Sequence, residues 1–379
     1  MLGLLFGKAL ARWLDPRAGE PAPQPPPVRP MPPARTEVTS RRPVDFRDLG
    51  TSPSTSGSLV CPRIGRAAMG CLFEAYLAGY DRTALEGAAE QALDEVERLD
   101  RQLSHYREDS DIARLNQHAS AQWVRLEPSL YALLVRCRDL HRTSRGAFDI
   151  AVQPLLEAWG FHSGAHRVPP DEEIAELLRH CSTDLIAWDD DDHLVHFTAP
   201  GMAISLGAIG KGYAVDSAVE FLRFYSVESG VVHAGTSTIF ALGKPPDADA
   251  WEFAVRDPRD GATPIATLRL QDQAVSTSSA REQHFEADGR LWGHILDPRT
   301  GRPATGVLST TVVSASAELS DALATALYVA GPAGLDWLVE AAPEVRVIMV
   351  TDTQDGAVLL DAEGGREAVM TALPAPGKS

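Results

Sequence analysis

The stretch from Trp292 to Thr325, WGHILDPRTGRPATGVLSTTVVSASAELSDALAT, sets the strongest constraint on how this chain folds. It opens with His294 just ahead of a tight polar turn, Asp297-Pro298-Arg299-Thr300-Gly301, a composition suited to reversing the chain. It closes with Asp321 and Thr325, four positions apart on a segment with helical patterning. Four residues are slightly more than one helical turn, so both oxygen side chains lie on one face. A single strand-like run lies between the two ends. An imidazole able to carry a proton and a pair of hard oxygen donors are thus tied together by one strand, a combination suited to metal-assisted chemistry on an oxyanion. Each residue also has a plainer role open to it. His294 can brace the turn, Asp321 can favour a helix N-terminus, and Thr325 can bond back to its own helix.

The chain around this stretch divides by composition. MLGLLFGKALARWLDP at the start is apolar but short, without the basic lead and small-residue cleavage site of a secretory signal. Leu2, Leu5, Phe6, Leu10, Trp13 and Leu14 can share one helical face, which leaves a membrane-surface or partner-docking helix open beside an ordinary fraying one. Arg41-Arg42 is followed by no apolar segment and is not a twin-arginine start. Residues 15–60 are rich in Pro, Arg and Ser and cannot bury enough apolar surface to fold. The expected organisation is a helix and disordered linker over residues 1–60, one globular domain over 61–365, and a flexible tail over 366–379.

Within the globular part the periodicities alternate. CLFEAYLAG reads as a strand, and Leu85, Ala89, Ala92, Val96, Leu99 and Leu103 keep the spacing of an amphipathic helix. Ser110 or Asp111 is available as the next helix cap, and Pro128 opens a further helix with Gly146 just past its end. Asp149 stands in an apolar stretch between Phe148 and Ile150. It either caps the PLLEAW turn or offers a fixed carboxylate to a ligand. MAISLGAIGKGYAVDSAVEFLRF predicts a strand, a glycine-rich turn and a helix whose N-terminus, with Lys211, favours anions. Strands and helices in mixed order predict an α+β fold rather than regular βαβ alternation.

Charge and cysteines narrow the function. A formal net charge of -17 excludes the basic face of a nucleic-acid binder and leaves an anionic ligand in need of local cations. Cys61, Cys71, Cys137 and Cys181 show no CxxC pairing, so neither a zinc cage nor a disulfide framework is expected. No uninterrupted apolar run approaches the ~18 residues of a transmembrane helix.

Six segments taken together, AAMGCLFEAY, LSHYREDSDIARLN, SRGAFDIAVQPLLEAWGF, ISLGAIGKGYAVD, GHILDPRTGRPA and ASAELSDALATALYVAG, resemble in order the ApbE family of FAD:protein FMN transferases. The resemblance covers roughly residues 65–335 and implies a T-fold-related α+β domain. It also implies binding of FAD with Mg²⁺, cleavage of the FAD pyrophosphate, and transfer of FMN to a threonine of an acceptor flavoprotein with release of AMP. Carried over by motif, Met69, Tyr106, Ala147, Phe148, Asp149, Lys211, Leu296 and Ala324 would contact FAD. Asp321, Thr325 and the backbone carbonyl of Ala208 would hold the metal, and His294 would be the general base. Two departures stand out: Ser205 where many relatives carry an acid, and HAGTST where a glycine-glycine-aspartate loop is usual. They leave acceptor choice open, and with it transfer against hydrolysis of FAD to FMN and AMP. A flavin binder without turnover is a third reading, against which the set of His294, Lys211, Asp321 and Thr325 argues. The compartment is open as well. The N-terminus lacks an export signal, whereas the resemblance implies an extracytoplasmic or membrane-associated protein.

Overall fold

A computed structural model describes residues 58–280, 283–352 and 357–360. The expected N-terminal helix, most of the linker and the tail lie outside the described residues. Val60 is already in the core and pairs with Gly79.

An eight-stranded sheet runs through the domain in simple chain order. Its strands are β1 (Arg63–Ala68), β2 (Cys71–Leu77), β3 (Gly230–Ala234), β4 (Thr238–Leu242), β5 (Gln273–Ser278), β6 (Val307–Ser314), β7 (Arg346–Thr351) and β8 (Ala357–Leu360). Every neighbouring pair is antiparallel. The β1–β2 turn places Met69 and Gly70 at φ 49° and 73°, the left-handed pair whose twist suits a two-residue hairpin.

The period-two rule assigns the two faces. Phe73, Ala75 and Leu77 point to the main core. Tyr76, Val231, Val275 and Val313 point the other way, under a hairpin of Trp251–Arg256 and Pro264–Leu270. Four long helices build the first face: α1 (Arg82–Leu103), α2 (Pro128–Thr143), α3 (Gly210–Phe224) and α4 (Ala317–Ala330). α1 starts where Asp81 accepts the Ala84 N–H, and its predicted apolar positions are all buried. α3 packs between α1 and α4, and α4 lies on β5 and β6. α4 is buried continuously from Ala317 to Ala324, so its apolar composition serves this contact. Ala317–Ala341 has the length and hydropathy of a membrane span, yet 61% of its most apolar window is buried inside the domain. This is the behaviour of a core helix, interrupted at Gly331, where φ is 64°.

The layout is α+β, as the mixed order predicts, with one local difference. Residues 202–206 form no strand. Their backbone is bonded instead by the Asn116 amide, which both donates to and accepts from Ile204, and by Ile150, whose carbonyl accepts the Ser205 N–H.

Candidate functional site

The site is built where α3 crosses α4. A Cβ added to Gly212 would lie 2.2 Å from the Ala317 carbonyl oxygen and 2.7 Å from the Glu318 Cα. The two backbones therefore touch, and only glycine admits it. This glycine brings a second helix close to the backbone. The contact lets the Gly212 N–H donate to Asp321 Oδ2 at 3.0 Å. In a regular helix that N–H would bond the carbonyl four residues back, at Ala208. Its neighbours follow the helical rule, Gly210 to Leu206 and Tyr213 to Ile209. The bond that anchors Asp321 thus takes the Gly212 N–H away from the Ala208 carbonyl. Asp216 ties the crossing from the other side, accepting from Ala317 N–H, Glu318 N–H and Ser316 Oγ at 2.8, 2.9 and 2.6 Å. Burial pushes its carboxyl up to about 7 against those three donors.

Asp321 is only 5% exposed. Its Oδ1 accepts from Thr238 Oγ1 at 3.1 Å and faces Lys211 Nζ at 3.9 Å. Thr325, one turn on, lies 3.1 Å from Ser278 Oγ and back-bonds the Asp321 carbonyl at 3.4 Å. The back-bond expected of an ordinary helical threonine is therefore present but long, and a second hydroxyl faces the same oxygen. The structure thus brings Lys211 to 3.9 Å from Asp321 and sets Thr325 one helical turn from it on α4. Among the described residues no three His, Cys, Asp or Glu side chains form a metal cage. A carboxylate and a hydroxyl are oxygen donors of the kind that a hard cation uses when waters and phosphates complete its shell.

His294 sits at a bend between the strand Arg290–Gly293 and the short pair Leu296–Asp297. Gly293 packs on Ala280, where a Cβ would meet the Ala280 Cβ at 2.6 Å. Ala280 follows Ser278, the partner of Thr325, by two residues, so the end of β5 joins the base to the oxygen cluster. The His294 Nδ1 lies 3.0 Å from the Gln283 carbonyl. A carbonyl only accepts, so Nδ1 carries the proton and Nε2 keeps a free lone pair. Burial lowers the His294 pKa, the Gln283 bond opposes this, and Lys211 and His284 add to the lowering. The imidazole is held neutral, as a base must be.

The other predicted residues divide. Met69 is half-buried at the β1–β2 turn, its N–H donating to Asp100 Oδ1 at 2.8 Å, in a cleft lined by Ala67, Gly70, Cys71 and Leu72. Tyr106 is not the core aromatic its residue type favours. It is 65% exposed and packs on His105 at 3.9 Å, which stacks on His162 at 4.2 Å. Burial and His162 push His105 down to about 4. Ala147, Phe148, Leu296 and Ala324 are buried. The Asp149 carboxylate does not cap the following helix, whose N-cap is Val152. It accepts from Ala151 N–H, Thr183 N–H and Thr183 Oγ1, and His141 Nδ1 lies 3.0 Å away. Ser205 is buried and accepts the Gly207 N–H at 3.3 Å. Sequence reasoning missed Thr238, Ser278, Asp216 and His141. The one signal available was hydroxyls and a carboxylate at positions whose periodicity is otherwise apolar.

Comparison with known proteins identifies the family. The model of the ApbE family matches residues 69–349. The chain is 31% identical over 280 residues to the FAD:protein FMN transferase of Vibrio cholerae, covering 73% of this chain and 82% of that one. The crystal structure of the ApbE protein of Thermotoga maritima superposes with a TM-score of 0.71 at 32% identity, over 77% of this chain and 95% of that one. The apo flavinyl transferase ApbE of Pseudomonas stutzeri gives the same TM-score, 0.71, at 27% identity, over 84% and 98%. A family model spanning most of the chain, relatives aligned over most of their length and a shared α+β fold place this chain in the ApbE family.

Proposed function

We propose that the protein is a Mg²⁺-dependent FAD:protein FMN transferase that attaches FMN through a phosphoester to a threonine of an acceptor flavoprotein and releases AMP. The observation that carries the proposal is His294: its Nδ1–H is spent on the Gln283 carbonyl, its pKa is lowered, and its Nε2 is left as a neutral base beside Lys211. Asp321, Thr325 and the Ala208 carbonyl would hold the ion. Bound there, Mg²⁺ would polarise the pyrophosphate and offset charge on the departing phosphate.

The chain's own groups account for the rest. Lys211 draws the pyrophosphate oxygens to the N-terminus of α3, whose first N–H groups favour anions. His294 Nε2 takes the proton of the acceptor threonine hydroxyl. The threonine oxygen forms a bond to the FMN phosphorus, the bridging P–O bond to the adenosine side breaks, and AMP leaves with its electron pair. Tyr106, exposed and flanked by the His105–His162 stack, is a surface for a planar ring, and Met69 lines a second cleft. The acceptor reaches His294 from outside the chain, and membrane association would come through the acceptor or the N-terminal segment.

The test is product analysis. FAD, Mg²⁺ and a candidate acceptor domain should give a covalent FMN adduct by mass spectrometry and stoichiometric AMP, both lost in His294→Ala. FMN and AMP formed from FAD alone, at a rate no acceptor raises, would make the protein a pyrophosphatase and overturn the transfer step.

A further inference from the structure

The helix-facing side of β4 and β5 carries hydroxyls where packing alone calls for methyls. Phe240 and Ala274 on these strands, and Val312 on β6 beside them, point into the main core. Thr238, Ser276 and Ser278 share that face, and Thr238 and Ser276 are 0% exposed. A buried hydroxyl costs stability unless it is bonded, and valine has nearly the shape of threonine. Each hydroxyl meets one oxygen group of α4: Thr238 bonds Asp321, Ser276 lies 2.8 Å from Ser320 Oγ, and Ser278 lies 3.1 Å from Thr325 Oγ1. The polar positions of the strands thus follow the polar positions of the helix, including both of its candidate cation ligands.

We propose that Thr238 and Ser278 are positioning residues for the cation site, an inference that rests on the metal reading above. Asp321 is held at both oxygens, Oδ2 by the Gly212 N–H and Oδ1 by the Thr238 hydroxyl. Its carboxylate plane is therefore fixed before any ion arrives, and each oxygen keeps a lone pair. Thr325 donates to the Asp321 carbonyl and accepts from Ser278, which leaves one lone pair on its oxygen. Thr238 closes the HAGTST loop, the segment that lacks the expected carboxylate. Its last residue acts on the metal through Asp321 instead of binding it directly. Hydrogen-bond partners of metal ligands are commonly worth about 10–100-fold in affinity.

The experiment is a Mn²⁺ titration of the full chain, followed by the amplitude of the free-ion EPR signal. Wild type should bind and Asp321→Ala should not. Thr238→Val should weaken binding by about 10–100-fold, with Thr238→Ser restoring it to within a few-fold of wild type. Ser278→Ala, at a half-buried position, should weaken binding independently. Thermal unfolding of each variant reads the fold separately, and a Thr238→Val that unfolds leaves Ser278→Ala and Thr238→Ser to decide. Wild type that binds no Mn²⁺, or Asp321→Ala that binds it unchanged, overturns the cation site and the positioning role together. Loss of binding in Asp321→Ala, with wild-type binding in Thr238→Val and Ser278→Ala, overturns the positioning role alone.

Discussion

Replacing Gly212 by alanine tests the helix crossing on which the site depends. On propensity alone the change should help, because alanine is favoured over glycine inside a helix by about 1 kcal/mol. Sterics oppose it. The new methyl would meet Ala317 O at 2.2 Å, Ala317 C at 2.6 Å and Glu318 Cα at 2.7 Å, against an ordinary carbon contact of about 3.5–4.0 Å. All three neighbours are backbone, so none can rotate away, and α3 and α4 must part by about 1 Å. Overpacking of this kind costs about 1–3 kcal/mol, and stretching the N–H bond to the Asp321 carboxylate forfeits part of about 1.5–3 kcal/mol. The net expectation is destabilisation by about 2–4 kcal/mol, a fall in Tm of about 3–7 °C for a domain of this size. Gly210 is the internal control. A Cβ there meets nothing within 4 Å, and its φ is not in the left-handed region. Gly210→Ala should therefore leave Tm unchanged or slightly raised. Thermal unfolding of both variants decides the matter. A Gly212→Ala protein as stable as wild type, or a Gly210→Ala protein equally damaged, would refute the claim that the second glycine serves the helix crossing.

Two further expectations separate base from scaffold. Because the His294 pKa lies below its ordinary value, kcat/KM should rise with pH through an acid limb below about 6.5 and be flat near neutrality. Lys211 repels the proton on His294, so Lys211→Gln should raise that pKa and move the limb to higher pH; a pH–rate profile with an unmoved or lowered limb would contradict the pairing. Tyr106 is exposed and Phe148 is not. Tyr106→Ala should change stability by no more than about 0.5 kcal/mol while weakening FAD binding in a fluorescence titration. Phe148→Ala should cost about 3–5 kcal/mol. Equal effects of the two on Tm would show that burial had been misjudged.

Much of the fold was legible because its signals are local. The α1 stripe from Leu85 to Leu103 and the Pro128 start each follow from a short-range rule, and both helices form where predicted. The site was legible only as residue types. His294, Lys211, Asp321 and Thr325 carry chemistry that the sequence displays, and the fold sets Lys211 beside Asp321. What sequence could not give is direction. Phe148, Leu296 and Ala324 turn inward because neighbouring elements cover them. Asp149 is consumed by Thr183 and His141, the first of which lies 34 residues away. Gly212 has the same composition cue as a phosphate-loop glycine, and only the position of Ala317 reveals its purpose. Residues 202–206 read as a strand by hydropathy, yet the Asn116 side chain took the place of a neighbouring strand. Long-range partners decide each of these cases, and no periodicity encodes them.

Lys211 links the two ends of the stretch from Trp292 to Thr325. It faces Asp321 at 3.9 Å, and its charge contributes to the lowered pKa of His294. One ammonium thus faces the Asp321 carboxylate and adds to the lowering of the His294 pKa that burial begins. Under the proposed function an anionic pyrophosphate enters beside Lys211 and offsets its field. The repulsion that lowered the proton affinity of His294 then weakens, and the imidazole becomes a stronger base when substrate arrives. Such coupling operates over a few ångströms, where local charges outweigh the distant surface acids responsible for the net charge of -17. Under the proposed function, an overall acidic protein therefore draws its anionic substrate through a local cation rather than through its net charge.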